Sequence, residues 1–367
     1  MIMRKIVLAF MFVIVLCGIS SADVAYTTTD GKLGLITIQG SKSADLKGIQ
    51  YDTGKENPIV GAYWDKGESK LLVITSEEES YDHAVRFSPS NSLNAIDSQP
   101  KILTGVNNAT RILSASSGNG VLFVYGSTVQ EFHTDNLGST DRFYTYSDDV
   151  EIKDALVIGI GVYVLVDDYL LLFDGQLKEG TKNYTQWALA EGSETMSYIS
   201  GTKIAIGNKT GIQVLGSTLI DLLVTNIPVK TICADNSSGF YYVTQDISGD
   251  VYQNVLCHYT GATTNEILKF NGERVKVLRD SSHNVLAAIV DGNIQLYDMA
   301  DDTLIAEYDA ATLGGEPFEL AKSTSSGDTP KNGGSCNISG VGAFLLLMSI
   351  FCFVIIHNNH YSILESR

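Results

Sequence analysis

The chain has 367 residues, 44% of them hydrophobic, so it can bury a large core as one big all-β domain or as two smaller domains. Only 18% of residues are charged, against 34 Gly and 18 Tyr, a balance that favours strands and turns over surface helices. The formal charge of -17 excludes a nucleic-acid backbone as partner, since that contact needs clustered Lys and Arg.

Residues 1–22 carry Arg4 and Lys5, then the apolar run Ile6 to Leu16, then Ser20, Ser21 and Ala22. A basic start, an apolar centre and small residues at the end make a signal peptide, cut by signal peptidase after Ala22. The apolar run is shorter than the ~20 residues that span a bilayer. The expected address is therefore outside the cytoplasm.

From residue 23 to residue 322 one unit recurs. An apolar run ends in an aromatic or aliphatic residue at Ile38, Phe87, Phe132, Phe173, Leu215, Tyr259 and Tyr297. The spacing is roughly 43 residues, within the ~40–50 of four-stranded propeller blades. A second apolar run precedes each mark: Val24 to Thr28, Leu71 to Thr75, Val121 to Tyr125, Val162 to Val166, Lys203 to Ile206, Phe240 to Thr244 and Val285 to Val290. These pairs are predicted as the middle strands, B and C, of seven blades.

Strand A and its turn are clearest in TRILSASSGNG from Thr110, TICADNSSG from Thr231 and VKVLRDSSHN from Val275, and looser in IVGAYWDKGES from Ile59. Their Asp, Ser, Gly and Asn residues fit Asx-type turns and lack the ligand spacing of a calcium loop. Strand D follows each mark, as in TLIAEYD from Thr303 and RFYTYS from Arg142.

The strongest local signal is VLAAIVDGNIQLYD, from Val285, where Asp291-Gly292 joins two alternating runs as a tight hairpin. Asp30-Gly31 holds the same place in the first unit, so that unit begins at strand B and lacks strand A. PFELAKSTSSGD, from Pro317, supplies one. Residues 317–322 are predicted to pair beside Val24 to Thr28 and close the ring.

Residues 323–335, STSSGDTPKNGGS, read as a flexible linker. Residues 336–367 contain an uncharged apolar run, Val341 to Ile356, just long enough for a membrane-crossing helix when counted from Ile338. The expected fold is all-β, a seven-bladed β-propeller, flanked by the signal peptide and a C-terminal apolar helix.

Two cysteines fall inside the repeats, Cys233 on strand A and Cys257 on strand C of the sixth unit. With strand B between them their separation is about 9–10 Å, beyond the ~7 Å reach of a disulfide, so they are not expected to bond to each other.

Nothing in the sequence carries a catalytic signature. His83, His133, His258, His283, His357 and His360 are scattered, and neither Gly-x-Ser-x-Gly nor His-Glu-x-x-His occurs. No metal or cofactor is expected. His133 and His258 read as strand-end residues, whereas His83 lies in an insertion. That insertion, SEEESYDH from Ser76, is the B-to-C loop of the second unit, and QDISGDVYQN from Gln245 is its counterpart in the sixth. B-to-C loops share a face with D-to-A loops, where a propeller funnel opens. Glu77, Glu78, Glu79, Asp82, His83, Asp246, Asp250 and Tyr252 are thus the candidate ligand rim. An acidic rim favours a cation, a basic peptide or a sugar gripped through Tyr.

Two resemblances add to this reading. The blade units resemble WD-like and YVTN-type propellers, most closely in ADNSSGFYYVT from Ala234, although the Gly-His and Trp-Asp signatures of true WD repeats are missing. Gly333, Gly334, Ser335, Cys336 and Asn337, followed by the apolar run, resemble C-terminal sorting signals of bacterial envelope proteins of the Synerg-CTERM type. That resemblance implies processing near Gly333, Gly334 and Cys336 by a protease of the rhombosortase class, with transfer to a surface anchor. A plain single-pass tail anchor is the alternative.

The function expected is an exported, envelope- or surface-tethered propeller that binds or scaffolds a protein, peptide or glycan, with no catalytic residue assigned. The alternative is an extracellular hydrolase or lyase, which needs two funnel carboxylates within ~5–9.5 Å.

Overall fold

Branched and aromatic residues on both sides of Asp291-Gly292 make two six-residue strands, Val285–Val290 and Asn293–Asp298, paired from Val285↔Asp298 to Val290↔Asn293. The turn takes φ of 52° at Asp291 and 75° at Gly292, the double positive-φ form whose twist matches the flanking strands. Every residue of Val285–Val290 is buried, because a B strand is covered on both faces by neighbouring blades.

The first unit solves the same turn differently. Thr29, Asp30 and Gly31 form a three-residue loop closed by Thr27↔Leu33, with positive φ at Gly31 and not at Asp30. The Thr28 hydroxyl donates to Asp30 Oδ1 (2.6 Å) and accepts from the Lys32 backbone N–H (3.1 Å). Side-chain bonds hold here what backbone chirality holds at Asp291.

The computed structural model describes residues 22–39, 43–54, 59–65, 70–75, 81–87, 101–107, 109–114, 120–133, 136–146, 150–174, 184–200, 203–235, 237–249, 251–280 and 283–324. These residues form seven antiparallel four-stranded blades. In each, strand A lies at the inner edge of the sheet, against the A strands of neighbouring blades, and B, C and D follow outward. Blade 6 is representative: Val229–Ala234, Phe240–Ser248, Val251–Tyr259 and Thr264–Asn271. The protein is a seven-bladed β-propeller.

Blade 1 takes its strand A from the other end of the described chain. Pro317–Thr324 runs antiparallel to Ala22–Thr28 through Val24↔Lys322, Ala25↔Ala321, Tyr26↔Leu320 and Thr27↔Glu319. Two further pairs, Ser323↔Trp64 and Thr324↔Asp65, join it in parallel to strand A of blade 2. The closing strand therefore bonds to two blades.

Apolar clusters fill the seams between blades. One joins Tyr26, Ile36 and Leu320 of blade 1 to Ile289 and Leu296 of blade 7, and another joins Cys233, Tyr241 and Val243 of blade 6 to Leu286 and Tyr297 of blade 7. Burying each such aliphatic side chain contributes about 1.5–3 kcal/mol, and dozens share the work. Tyr26 lies where a side chain at Gly34 would be, 2.2 Å from an added Cβ, and its hydroxyl donates to Leu313 O (3.1 Å). Glycine at 34 is what admits the ring.

Of the expected signal peptide, 1–22, residues 1–21 lie outside the described residues and Ala22 opens the first strand, and Glu77, Glu78, Glu79, Asp250, Gly333, Gly334 and Cys336 also lie outside them. The chain divides into Met1–Pro330 and Lys331–Arg367, the second wholly outside them. Among the described residues no helix is long and apolar enough to cross a membrane.

Candidate functional site

The B-to-C turns and D-to-A loops share one face, and backbone bonds between them build its floor. Thr29 N–H donates to Glu316 O, Ile152 to Gly126 O, Leu189 to Asp168 O and Val229 to Asn208 O, at 2.8–3.0 Å. The bonds of Glu316, Ile152 and Val229 lie at the starts of inner strands. On this face a cavity of about 620 Å³ opens over the starts of the inner strands of blades 3, 6, 7 and 1. Ala109 and Thr110 form one side, and Lys230, Lys276, Phe318 and Glu319 the other.

A hairpin of blade 6 stands beside it. Strands B and C of this blade are nine residues each, and Asp246↔Gln253, Ile247↔Tyr252 and Ser248↔Val251 continue the pairing beyond strand A. Strand D stops at Gln253↔Asn271, so the last two pairs rise alone. Alternating Ile247, Val251 and Tyr252 with polar residues allows a two-stranded ribbon there, and Ile247 and Tyr252 line the cavity.

The hairpin base is locked by a buried amide network. Gln245 Nε2 donates to Asn254 Oδ1 (3.0 Å) and Glu273 O (3.1 Å), and Asn254 Nδ2 to Gly272 O (2.8 Å). Both amides are almost wholly buried, and a satisfied buried network is rigid. The rim is thereby tied to the loop carrying Glu273 and Arg274.

The cavity's cations are held by acids across the blade seams. Lys230 meets Glu194 at 2.6 Å, Lys276 meets Glu319 at 3.0 Å and Arg274 meets Glu316 at 3.0 Å. Arg274 also lies over the Phe318 ring, 5.5 Å from its centroid. Partly exposed pairs of this kind are worth about 0–1 kcal/mol each, so they orient the walls more than they stabilise the ring.

On the face of the A-to-B and C-to-D turns a second cluster is buried. His258 lies between Asp235 (Nε2 to Oδ2, 3.2 Å) and Asp302 (Nδ1 to Oδ2, 3.1 Å), stacked on Tyr241 at 4.0 Å between centroids. The Tyr241 hydroxyl donates to Asp302 Oδ1 (2.7 Å). Asp235 belongs to blade 6 and Asp302 to blade 7, so the imidazole bridges a seam. Burial alone would depress the His258 pKa, but its two aspartate hydrogen bonds overcome this and hold it above the usual histidine value. Burial alone would raise Asp235, yet the bonds from His258, Ser237 and Gly239 hold it below the ordinary aspartate value.

The residues named from the sequence separate. Tyr252 lines the cavity from the hairpin, whereas Asp246, exposed on the same hairpin, lies next to Ile247 and so alternates to the other face. Asp82 is 1% exposed, and its Oδ2 accepts from the Ala109 N–H (2.7 Å), clamping the blade 2 turn to the start of blade 3. His83 opens strand C of blade 2 between Thr75 and Ile102, away from the inner strands. The described lining is mixed in charge rather than acidic. Lys230, Arg274, Lys276 and Phe318 were not among the expected rim residues. For Lys230 and Lys276 the one local signal is a Lys directly after a buried Val at the start of an inner strand, Val229-Lys230 and Val275-Lys276; Arg274 and Phe318 carry none. Cys233 and Cys257 lie on strands A and C with strand B between them, and burial raises the Cys257 thiol pKa. Among the described residues no three His, Cys, Asp or Glu side chains are placed to hold a metal ion.

The fold and this funnel define the class, a ring-closed propeller with a cavity on its B-to-C face. No protein-family model matches the chain, and no curated protein is similar to it in sequence. Solved structures share its fold. A provisionally assigned 6-phosphogluconolactonase of Bacteroides fragilis superposes with a TM-score of 0.58 at 9% identity, covering 83% of this chain and 98% of its own. A second of that description, from Bacteroides uniformis, gives 0.57 at 10% identity over 82% and 99%. The periplasmic gluconolactonase of Pseudomonas aeruginosa gives 0.53 at 10% identity over 83% and 99%. These likenesses establish the fold alone.

Proposed function

We propose that the protein is an exported, envelope-tethered propeller that acts as a binding module and holds its ligand in the blade 6–7–1 funnel. The observation that carries this is the cavity of about 620 Å³ lined by Tyr252 and Phe318 beside a hairpin anchored by buried amides. A concave site with aromatic walls and few, fixed polar groups is the usual form of a ligand pocket. Export rests on the signal-peptide pattern of residues 1–22, and tethering on the resemblance of Gly333, Gly334 and Cys336 to a sorting signal or on the apolar run as an anchor.

The test is a screen of basic peptides, neutral oligosaccharides and aldonolactones against the full chain, repeated with Tyr252→Ala and Phe318→Ala. A bound compound whose affinity falls roughly tenfold in either variant supports the funnel. Binding unchanged in both overturns it. Hydrolysis of an aldonolactone would instead favour the enzyme reading. The mass of the protein from its own cells tests the tail: a chain ending near Cys336 supports processing, and one retaining Ile356 supports a plain anchor.

A further inference from the structure

We propose that the funnel ligand is an extended, basic segment of a partner protein, docked against the inner edge of the blade 6 hairpin. This rests on the reading of the funnel as the binding site.

The backbone supplies the first reason. Gln245 N–H points to the inner side of strand B and is bonded to Pro228 O, the last partner before strand A begins. Backbone direction alternates along a strand, so Ile247, two residues on, presents its N–H and C=O on the same inner side. Strand A pairs with strand B no further than Thr244. A donor and an acceptor at strand spacing therefore face the cavity, and a main chain in extended conformation satisfies both.

Side chains give the second reason. Ile247 is 53% exposed and, with Tyr252 and Phe318, lines the cavity, a slot for an apolar side chain of the incoming strand.

Charge supplies the third and selects the partner. Each lining cation holds an acid, whereas Asp246 and Glu273 are exposed and have no ion-pair partner among the described residues. The surplus at the rim is negative, as is the whole chain at -17, so an alternating basic and apolar segment complements it.

The experiment measures binding of the full chain to a synthetic hexapeptide library in which Lys or Arg alternates with Val, Ile, Leu or Tyr. Counterparts carry Glu at the basic positions or N-methyl groups on the apolar residues. The expected result is roughly tenfold weaker binding on N-methylation, on Glu replacement, and in the Asp246→Asn, Glu273→Gln double variant. Basic peptides that bind no better than their Glu counterparts overturn the proposal. So does equal binding of the N-methylated peptides, which would indicate charge recognition without a strand. If no peptide binds but an oligosaccharide does so in a Tyr252-dependent manner, the peptide partner is wrong and the funnel still stands. If peptides bind equally to wild type and to Tyr252→Ala and Phe318→Ala, the funnel reading itself fails.

Discussion

At the scale of single residues, the His258 bridge makes stability depend on pH in a definite direction. The pKa of His258 is higher folded than its unfolded value of about 6.5, so its contribution is complete below that value and is lost as pH rises through the folded pKa. Asp235 is shifted down, so its contribution is present above the unfolded value of about 3.9 and is lost as pH falls through the folded pKa. The bridge is therefore strongest in mild acid, between those limits. Urea midpoints of wild type and His258→Asn should differ most near pH ~5 and converge toward alkaline pH; a difference that grows with pH would refute the assignment. Gly239 sits behind the same turn, where an added Cβ would lie 2.0 Å from Tyr259 O. Backbone cannot move aside as a side chain can, so Gly239→Ala should destabilise by about 1–3 kcal/mol in the same measurement. None of this geometry was legible beforehand. The sequence marks His258 as a strand-end residue, but its partners are 23 and 44 positions away and meet it only because two blades pack.

At the scale of elements, patterning was informative where local chemistry decides the outcome. Recurring apolar runs placed the B and C strands, since strands covered on both faces read as near-continuous apolar stretches. Asp291-Gly292 marked a two-residue turn because few other pairs accept positive φ twice. Substituting Gly292 by Val should cost about 1–2 kcal/mol, as a branched residue in the left-handed region clashes with its own carbonyl. Asp30→Asn in the first turn keeps the side-chain acceptor for the Thr28 hydroxyl and loses the partly exposed ion pair with Lys32, and should cost less than about 1 kcal/mol. Thermal midpoints rank the two, and a larger loss for Asp30→Asn would show that positive φ at Gly292 is not the costlier device. The rim was harder to read because a loop's charge says nothing about its neighbours. Asp82 has the residue type of a ligand group, yet it satisfies the Ala109 N–H in the interior. Lys230 and Lys276 carry no functional signal along the chain, and only the starts of other inner strands turn them into funnel walls.

At the scale of the whole molecule, the fold was legible because the unit is repeated. Seven weak signals in one phase outweigh the ambiguity of each, and a missing strand in the first unit implies a donor elsewhere. A ring distributes stability over its seams, but it has one place where covalent order does not guarantee contact. That seam is held by Pro317–Thr324, which pairs with Ala22–Thr28 and with strand A of blade 2 and sets Leu320 among the residues that join blades 1 and 7. A chain stopped after Thr324 keeps all of these contacts and should retain its unfolding midpoint. A chain stopped before Pro317 leaves the edge of Ala22–Thr28 unpaired, exposes Val24 and Tyr26, and creates a strand edge prone to association. Hydrogen exchange provides a sharper readout than the midpoint alone, because opening at one seam should free the amides of Val24, Tyr26 and Leu35 well before those of blade 4. Leu320→Ala, removing a side chain 7% exposed, should move the same amides part of the way at a cost of about 2–5 kcal/mol. Uniform loss of protection across all seven blades in these variants would show that the ring unfolds as a unit and that the closing strand is no weaker than any other seam.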